Sequence, residues 1–258
     1  MLSSTLAPNF AGEKEFSEAA RNAGLYRVRT DNFQRLLNAV PPRGAGKTPA
    51  RVLEVGPGPG LFLEAARARG LDVIGVEPDS EMAAQLQGRG FSVVEGVFPN
   101  PALAGQTFDY IAFNDVLEHI ADIDAVLAAC RRHLNPQGTL LINLPSAQGV
   151  IYRAAAAMAR AGVRGPYERM WQKDFVSPHL HYFRPALLTR AVEQRGFKRI
   201  AAGSLPSLTW NGLGDRIRYG HKQQGLGALA VQIAATLYLP LSALLPADSI
   251  YQAFQPAS

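Results

Sequence analysis

"VLEVGPGPGLFLEAA", residues 52–66, is an apolar run that ends in an acid and passes through glycines at alternate positions into a helix-like segment. "RVLEV" (51–55) is short, apolar and rich in valine, which reads as a buried strand. "LFLEAARARG" (61–70) reads as a helix closed by a glycine. The turn between them lies at the carboxyl end of a strand, where open α/β sheets bind ligands. Glycines allow a tight turn and a close approach of backbone to ligand. The helix start favours an anionic group, such as a carboxylate.

The spacing excludes two familiar ligands. A phosphate-cradling loop ends in Gly-Lys-Ser/Thr, whereas Gly60 is followed by Leu61 and Phe62. A dinucleotide loop needs glycine three places after its second one, and that place is Leu61. What remains is Glu54-x-Gly56-x-Gly58-x-Gly60, with a second acid, Glu77, ending the next strand. A carboxylate at Glu77 suits ribose hydroxyls, and one at Glu54 suits a cationic ligand. The alternative for each is a capping or surface carboxylate.

Outward from this unit, strands and helices alternate. "LDVIGVE", "FSVVEG", "FDYIAFND" and "GTLLINLP" read as strands, with "SEMAAQLQGRG" and "DIDAVLAACRRHL" as helices between them. Asp79 or Ser80 is the expected N-cap of the former. Such alternation implies a parallel sheet with right-handed crossovers. Residues 14–39 read as an N-terminal helix, and "PPRGAGKTPA" (41–50) as a linker. After Pro145 come an alanine-rich helix (147–162), a polar aromatic stretch, the helix "PALLTRAVEQRG", the strand "FKRIAAGSL", and "ADSIYQAFQPA", read as a last, edge strand.

The chain has 258 residues, of which 47% are hydrophobic, enough for one large α/β domain with a full core. Its single cysteine, Cys130, excludes an internal disulfide framework and reads as a small buried helix residue. The first residues carry neither a basic start nor an apolar run, so no signal peptide is expected, and a cytoplasmic setting fits. A net charge of +5 without a run of five like charges gives nucleic acid no special weight as a partner.

"VLEVGPGPG", "VIGVEPD", "FDYIAFNDVLEHI" and "HLNPQGTLLINLP", in this order over residues 51–145, together resemble the class I methyltransferases that use S-adenosylmethionine. The likeness continues through "HLHYFRPALLTRAVEQRGF" (179–197). That pattern resembles the branch holding the ubiquinone-pathway O-methyltransferases and bacterial small-molecule, glycan and lipid methyltransferases. The resemblance implies a Rossmann-like, doubly wound seven-stranded sheet of order 3-2-1-4-5-7-6, its last strand antiparallel. Carried over by position, Gly56, Gly58 and Gly60 would pack against the methionine part of the cofactor, and Glu54 would lie near its amino group. Glu77 would accept from the ribose hydroxyls. Asn114 and Asp115 would face the methionine end or the acceptor. The family often has an acid just after the glycine that ends strand three. Here Gly96 is followed by Val97, so the adenine contact falls to the Val97 backbone, with Phe98 or Pro78 against the ring.

Methyl transfer to a hydroxyl needs a base. His119, in "DVLEHI", follows strand four and is read either as that base or as a structural orienter. Glu118 is read as structural, capping the next helix. His179 and His181 flank Leu180. If extended they share a face, as a metal-binding pair or, preferred, as aromatic-edge residues that pack the substrate lid with no metal, one of the two lying near the acceptor; with His119 they are the candidate catalytic residues. Tyr167, Arg169 and Trp171 could line an acceptor pocket. Residues 225–246 carry no charge, and Arg216, Arg218, His221 and Lys222 precede them. Pro240 interrupts the run, which reads as an interfacial helix giving peripheral membrane contact through 216–246, or as a buried helix.

The expected organisation is an N-terminal helical segment (1–45) and a methyltransferase domain (46–205 with 247–258). Residues 146–183 would form a lid on the substrate side, and 206–246 an apolar insertion. The expected activity is O-methylation of a small-molecule or lipid- or glycan-linked acceptor with S-adenosylmethionine. The alternatives are an RNA or protein methyltransferase, and a regulator that binds the cofactor without turnover.

Overall fold

The computed structural model describes residues 26–44, 48–173, 175–207, 236, 240 and 244–257. The chain divides into two units, one of Met1–Val28 with Leu208–Leu241 and one of Arg29–Ser207 with Ser242–Ser258. The second carries everything described below. Most of the 206–246 insertion, with the membrane contact expected of it, lies outside the described residues. Among the described residues no helix is long and apolar enough to cross a membrane.

Seven strands form one sheet in the order β3-β2-β1-β4-β5-β7-β6. They are β1 (Arg51–Val55), β2 (Asp72–Glu77), β3 (Ser92–Glu95), β4 (Phe108–Asn114), β5 (Leu134–Pro145), β6 (Phe197–Leu205) and β7 (Ser249–Pro256). The first five pair in parallel, and β7 runs antiparallel to both β5 and β6. This is the order that the resemblance implied. The last strand is not at an edge, however. Its alternating apolar and polar residues suggest a half-exposed position, yet Gln252, Ala253 and Phe254 are all buried. Burial of Gln252 is made tolerable by its neighbour helix α7 (Pro185–Glu193). The Gln252 amide donates to the Pro185 carbonyl at 2.9 Å, and its Oε1 accepts from Thr189 at 3.0 Å.

Helices cover both faces, as a parallel sheet of continuous apolar strands requires. On one side lie α1 (described over 26–39), α2 (Leu61–Arg67) and α3 (Ser80–Gly88), with Phe33, Leu36, Phe62, Leu63 and Leu86 packed against β1 and β4. The Phe33 and Phe62 rings meet edge to face at 5.6 Å. On the other side lie α4 (Ile123–His133) and α7, through Val126, Leu127, Cys130, Leu188 and Val192. Cys130 is buried, and desolvation pushes its thiol pKa up, so it is an inert core residue. Asp79 caps α3 by accepting from the Met82 N–H at 2.9 Å. Asp122 caps α4 by accepting from Ala125, so the expected Glu118 cap is not formed. Asp79→Ala should lower the unfolding free energy by about 1 kcal/mol, measured by urea denaturation.

After β5 come α5 (Val150–Arg160) and α6 (Gly165–Met170), which lead into an irregular segment before α7. That segment returns to the sheet: the N–H groups of Leu180 and His181 both donate to the Glu118 carbonyl, at 2.8 and 3.0 Å.

Candidate functional site

The carboxyl ends of β1, β2 and β4 bring the predicted residues to one end of the sheet. The turn after β1 requires glycine for two different reasons. Gly56, Gly58 and Gly60 all have positive φ, at 65°, 51° and 80°. A Cβ on Gly56 would meet a Val116 methyl at 2.8 Å, and one on Gly60 would overlap Leu86. A Cβ on Gly58 would meet nothing within 4 Å. Gly56 and Gly60 therefore keep the turn packed on the protein, and Gly58 is the glycine that faces open space. Gly60→Ala should cost about 2–4 kcal/mol, the sum of a left-handed backbone and a core overlap. Gly58→Ala should cost only about 1–2 kcal/mol, from the backbone alone. Chemical denaturation distinguishes them.

Neither Glu54 nor Glu77 is a surface carboxylate, for they are 2% and 6% exposed. Glu77 accepts from the Gly58 N–H at 2.9 Å and from the Asp79 N–H at 3.0 Å, which ties the turn to β2. Each of its oxygens keeps a second lone pair. Glu54 accepts from the Asn114 amide at 3.0 Å, across the β1–β4 boundary. Glu54 Oε2 and Asn114 Oδ1 are both buried with no hydrogen-bond partner among the described residues. Burial raises the Glu54 pKa to about 8, and nearby Glu77 adds to the rise, against the lowering effects of the Asn114 hydrogen bond and of the Leu63 backbone N–H. Once Glu54 is ionised, two acceptors that lack donors form a place suited to a cation with N–H groups.

Asp115 follows with φ 54°, a strained backbone for a residue with a side chain. Its carboxylate lies 3.4 Å from the Arg29 guanidinium of α1, a partner that no local sequence signal announced. Val97 is 67% exposed and Pro78 is exposed, both beside the ends of β3 and β2. Phe98 is instead buried in the core, edge to face with Phe113 at 6.1 Å, so it is not a surface for a ligand ring.

His119 closes a single helical turn, Leu117–His119, after β4. Its Nδ1 lies 2.9 Å from the Pro178 carbonyl oxygen, with Ser177 Oγ at 3.2 Å. A carbonyl can only accept, so Nδ1 carries a proton, and in the neutral ring the lone pair is then on Nε2. That tautomer can take up a proton at Nε2. The His179 ring stands edge to face with it, 4.7 Å between centroids, and Gln172 donates to His179 Nε2 at 2.8 Å. His181 is placed otherwise: its Nε2 donates to the Ile120 carbonyl at 3.1 Å and its ring lies on Phe183. The two histidines that meet are thus His119 and His179, not His179 and His181.

Behind them, Glu118 is 1% exposed, and neither carboxylate oxygen has a hydrogen-bond partner among the described residues. Desolvation, reinforced by Asp115, raises its pKa well above the usual carboxylate range, which favours the neutral acid. Glu118, His119 and His179 have ligand atoms within 4.8 Å of one another and could hold a metal ion. Burial, which favours the neutral carboxyl, opposes that. Farther out, Tyr182 packs on His179 at 5.2 Å and on Tyr152 at 4.5 Å. The Tyr152 and Tyr167 hydroxyls are 3.2 Å apart, and Trp171 stands edge-on to Tyr182. Of the three predicted pocket residues, Tyr167 and Trp171 join this aromatic wall and Arg169 is exposed.

The chain is similar to two curated proteins named ubiquinone biosynthesis O-methyltransferase. It is 28% identical to one from Mesorhizobium japonicum over 172 residues, 64% of this chain and 66% of that protein. It is 33% identical to one from Xanthomonas oryzae over 140 residues, 50% of this chain and 57% of that protein. The matched stretch thus spans less than two thirds of either relative. A SAM-dependent methyltransferase from Thermotoga maritima shares the fold, with a TM-score of 0.60 at 18% identity over 92% of this chain and 94% of that one. A family model described as a methyltransferase domain matches residues 17–202, which include β1 to β5 and most of β6. By that match and by its strand order, the chain belongs to the methyltransferase-domain family.

Proposed function

We propose that this chain is an S-adenosylmethionine-dependent methyltransferase that methylates an oxygen of a small-molecule or lipid- or glycan-linked acceptor. The observation that carries this is the pair of buried acceptors Glu54 Oε2 and Asn114 Oδ1, without hydrogen-bond partners among the described residues, on β1 and at the carboxyl end of β4, while the turn after β1 carries Gly58, which faces open space. An α-ammonium group supplies the donors they lack. When bound, the cofactor supplies a methyl group on a positively charged sulfur, open to in-line displacement. Glu54 and Asn114 hold its ammonium end, Glu77 takes the ribose hydroxyls, and the Val97 backbone with Pro78 borders the adenine.

On the acceptor side, His119 Nε2 receives the hydroxyl proton, while the Pro178 carbonyl keeps Nδ1–H in place. His179 and Tyr182 wall the acceptor and limit access of water to it. Orienting the reactants in this way can supply about 7–11 kcal/mol of the barrier. The names of the relatives favour oxygen over nitrogen as the acceptor atom.

The test is incubation of the protein with methyl-labelled cofactor and separated lipid, polar-metabolite and RNA fractions. Label is expected in a lipid or polar-metabolite fraction. Label in RNA alone would replace this reading with an RNA methyltransferase. Cofactor binding without label in any fraction would indicate a regulator. Calorimetry on Gly58→Val should show at least tenfold weaker cofactor binding, since the new side chain enters the open space.

A further inference from the structure

A groove of about 810 Å³ runs beside α5, within the usual range for a small-molecule site. Its walls combine apolar and cationic side chains. Val150, Ala154 and Ala157 form one stripe of the helix at positions i, i+4 and i+7, and Pro246 stands opposite. Alanine gives the helix its propensity without filling the trough. Three guanidinium groups, Arg153, Arg160 and Arg184, line the same groove. Among the described residues none of the three is in an ion pair, and no carboxylate lines the groove. Asp248, near its end, accepts from the Ile151 N–H at 2.7 Å. Three exposed cations with no ion-pair partner among the described residues, around an apolar trough, are complementary to an occupant that is both anionic and greasy.

The groove also connects with the proposed chemistry. Tyr152 forms part of its wall and packs on Tyr182, which packs on His179 beside His119. The groove floor joins the same segment, since the Ala147 N–H donates to the Phe183 carbonyl at 2.9 Å.

We propose that this groove binds the tail of the acceptor, and that the acceptor is a phosphate-bearing amphiphile with a single alkyl or prenyl chain. The arginines hold the phosphate, the alanine stripe takes the chain, and the reacting hydroxyl lies toward His119. This rests on the methyltransferase reading and narrows its acceptor class.

The test uses the full chain and three probes below any micelle threshold: decyl phosphate, decyltrimethylammonium and inorganic phosphate. Decyl phosphate should bind at least tenfold tighter than either of the others. The double charge reversal Arg153→Glu/Arg160→Glu should remove that preference, and Ala157→Trp should weaken decyl phosphate at least fivefold by filling the trough. Both variants should keep the wild-type melting temperature and S-adenosylmethionine affinity. Equal binding of both amphiphiles, or of inorganic phosphate alone, overturns the proposal. So does arginine-dependent binding to anionic phosphatidylglycerol vesicles without binding of monomeric decyl phosphate, which would make the groove a membrane-facing surface. If S-adenosylmethionine binds and decyl phosphate does not, the groove assignment alone fails. If S-adenosylmethionine does not bind the wild type, the cofactor reading fails instead.

Discussion

Replacing His119 with alanine should lower kcat for a hydroxyl acceptor by about 10²- to 10⁴-fold, the usual contribution of a placed base. Cofactor affinity should stay within about twofold, because His119 belongs to the acceptor side. The pH profile distinguishes a base from an orienter. With Nδ1–H donated to the Pro178 carbonyl, activity requires an unprotonated Nε2. Wild-type kcat should therefore fall on the acid side, and His119→Ala should lose that acid limb along with its rate. Ser177→Ala, which removes the weaker contact at 3.2 Å, should keep both the limb and most of the rate. If His119→Ala keeps the wild-type rate and profile, the imidazole only orients the loop and the base lies elsewhere.

What could be read in the sequence, and what could not, follows from the range of the interactions. The strand ends that place Glu54, Glu77 and Asn114 are set by short apolar runs and by glycines with positive φ. Both are local features, and the structure puts all three residues at one end of the sheet. The meeting of His119 with His179 is not local. It depends on the Glu118 carbonyl capturing the Leu180 and His181 N–H groups from about sixty residues away. The alternation of side chains around Leu180 suggested a His179–His181 pair instead, because periodicity does not say which neighbour each ring will meet. The β7 strand was misread for a similar reason. A buried glutamine looks like an edge residue until the Thr189 and Pro185 groups that satisfy it are known. The different duties of Gly56, Gly58 and Gly60 are likewise hidden, since only the positions of Val116 and Leu86 separate them.

The second large effect concerns Glu54, and it joins stability to ligand binding. Its pKa of about 8 in the folded protein, against 4.5 for an ordinary glutamate carboxyl, means that the fold holds an extra proton between these values. An acid whose pKa is raised by folding stabilises the fold below its unfolded pKa, and that contribution is lost as pH rises toward the folded value. The free protein should therefore lose stability from about pH 4.5 to 8, by up to about 1.4 kcal/mol per pH unit from this one group. Glu118, shifted in the same direction, adds to the slope. Glu54→Gln should reduce the slope by one proton's worth, because an amide does not titrate.

Binding should reverse the proton's preference. At pH 6.5 a ligand α-ammonium is already charged, and it makes the carboxylate the better partner, so binding expels the Glu54 proton. The heat of S-adenosylmethionine binding at pH 6.5 should then differ between phosphate and Tris buffers by about the difference between their ionisation enthalpies, as expected for one released proton. In Glu54→Gln this difference should vanish and affinity should fall about 10- to 100-fold, the loss expected for a hydrogen bond to a charged group. A wild-type binding heat that is the same in both buffers would mean that the ammonium does not sit against Glu54. The unpartnered Glu54 and Asn114 oxygens would then need a different donor, and the cofactor would have to be placed elsewhere along the carboxyl ends of the strands.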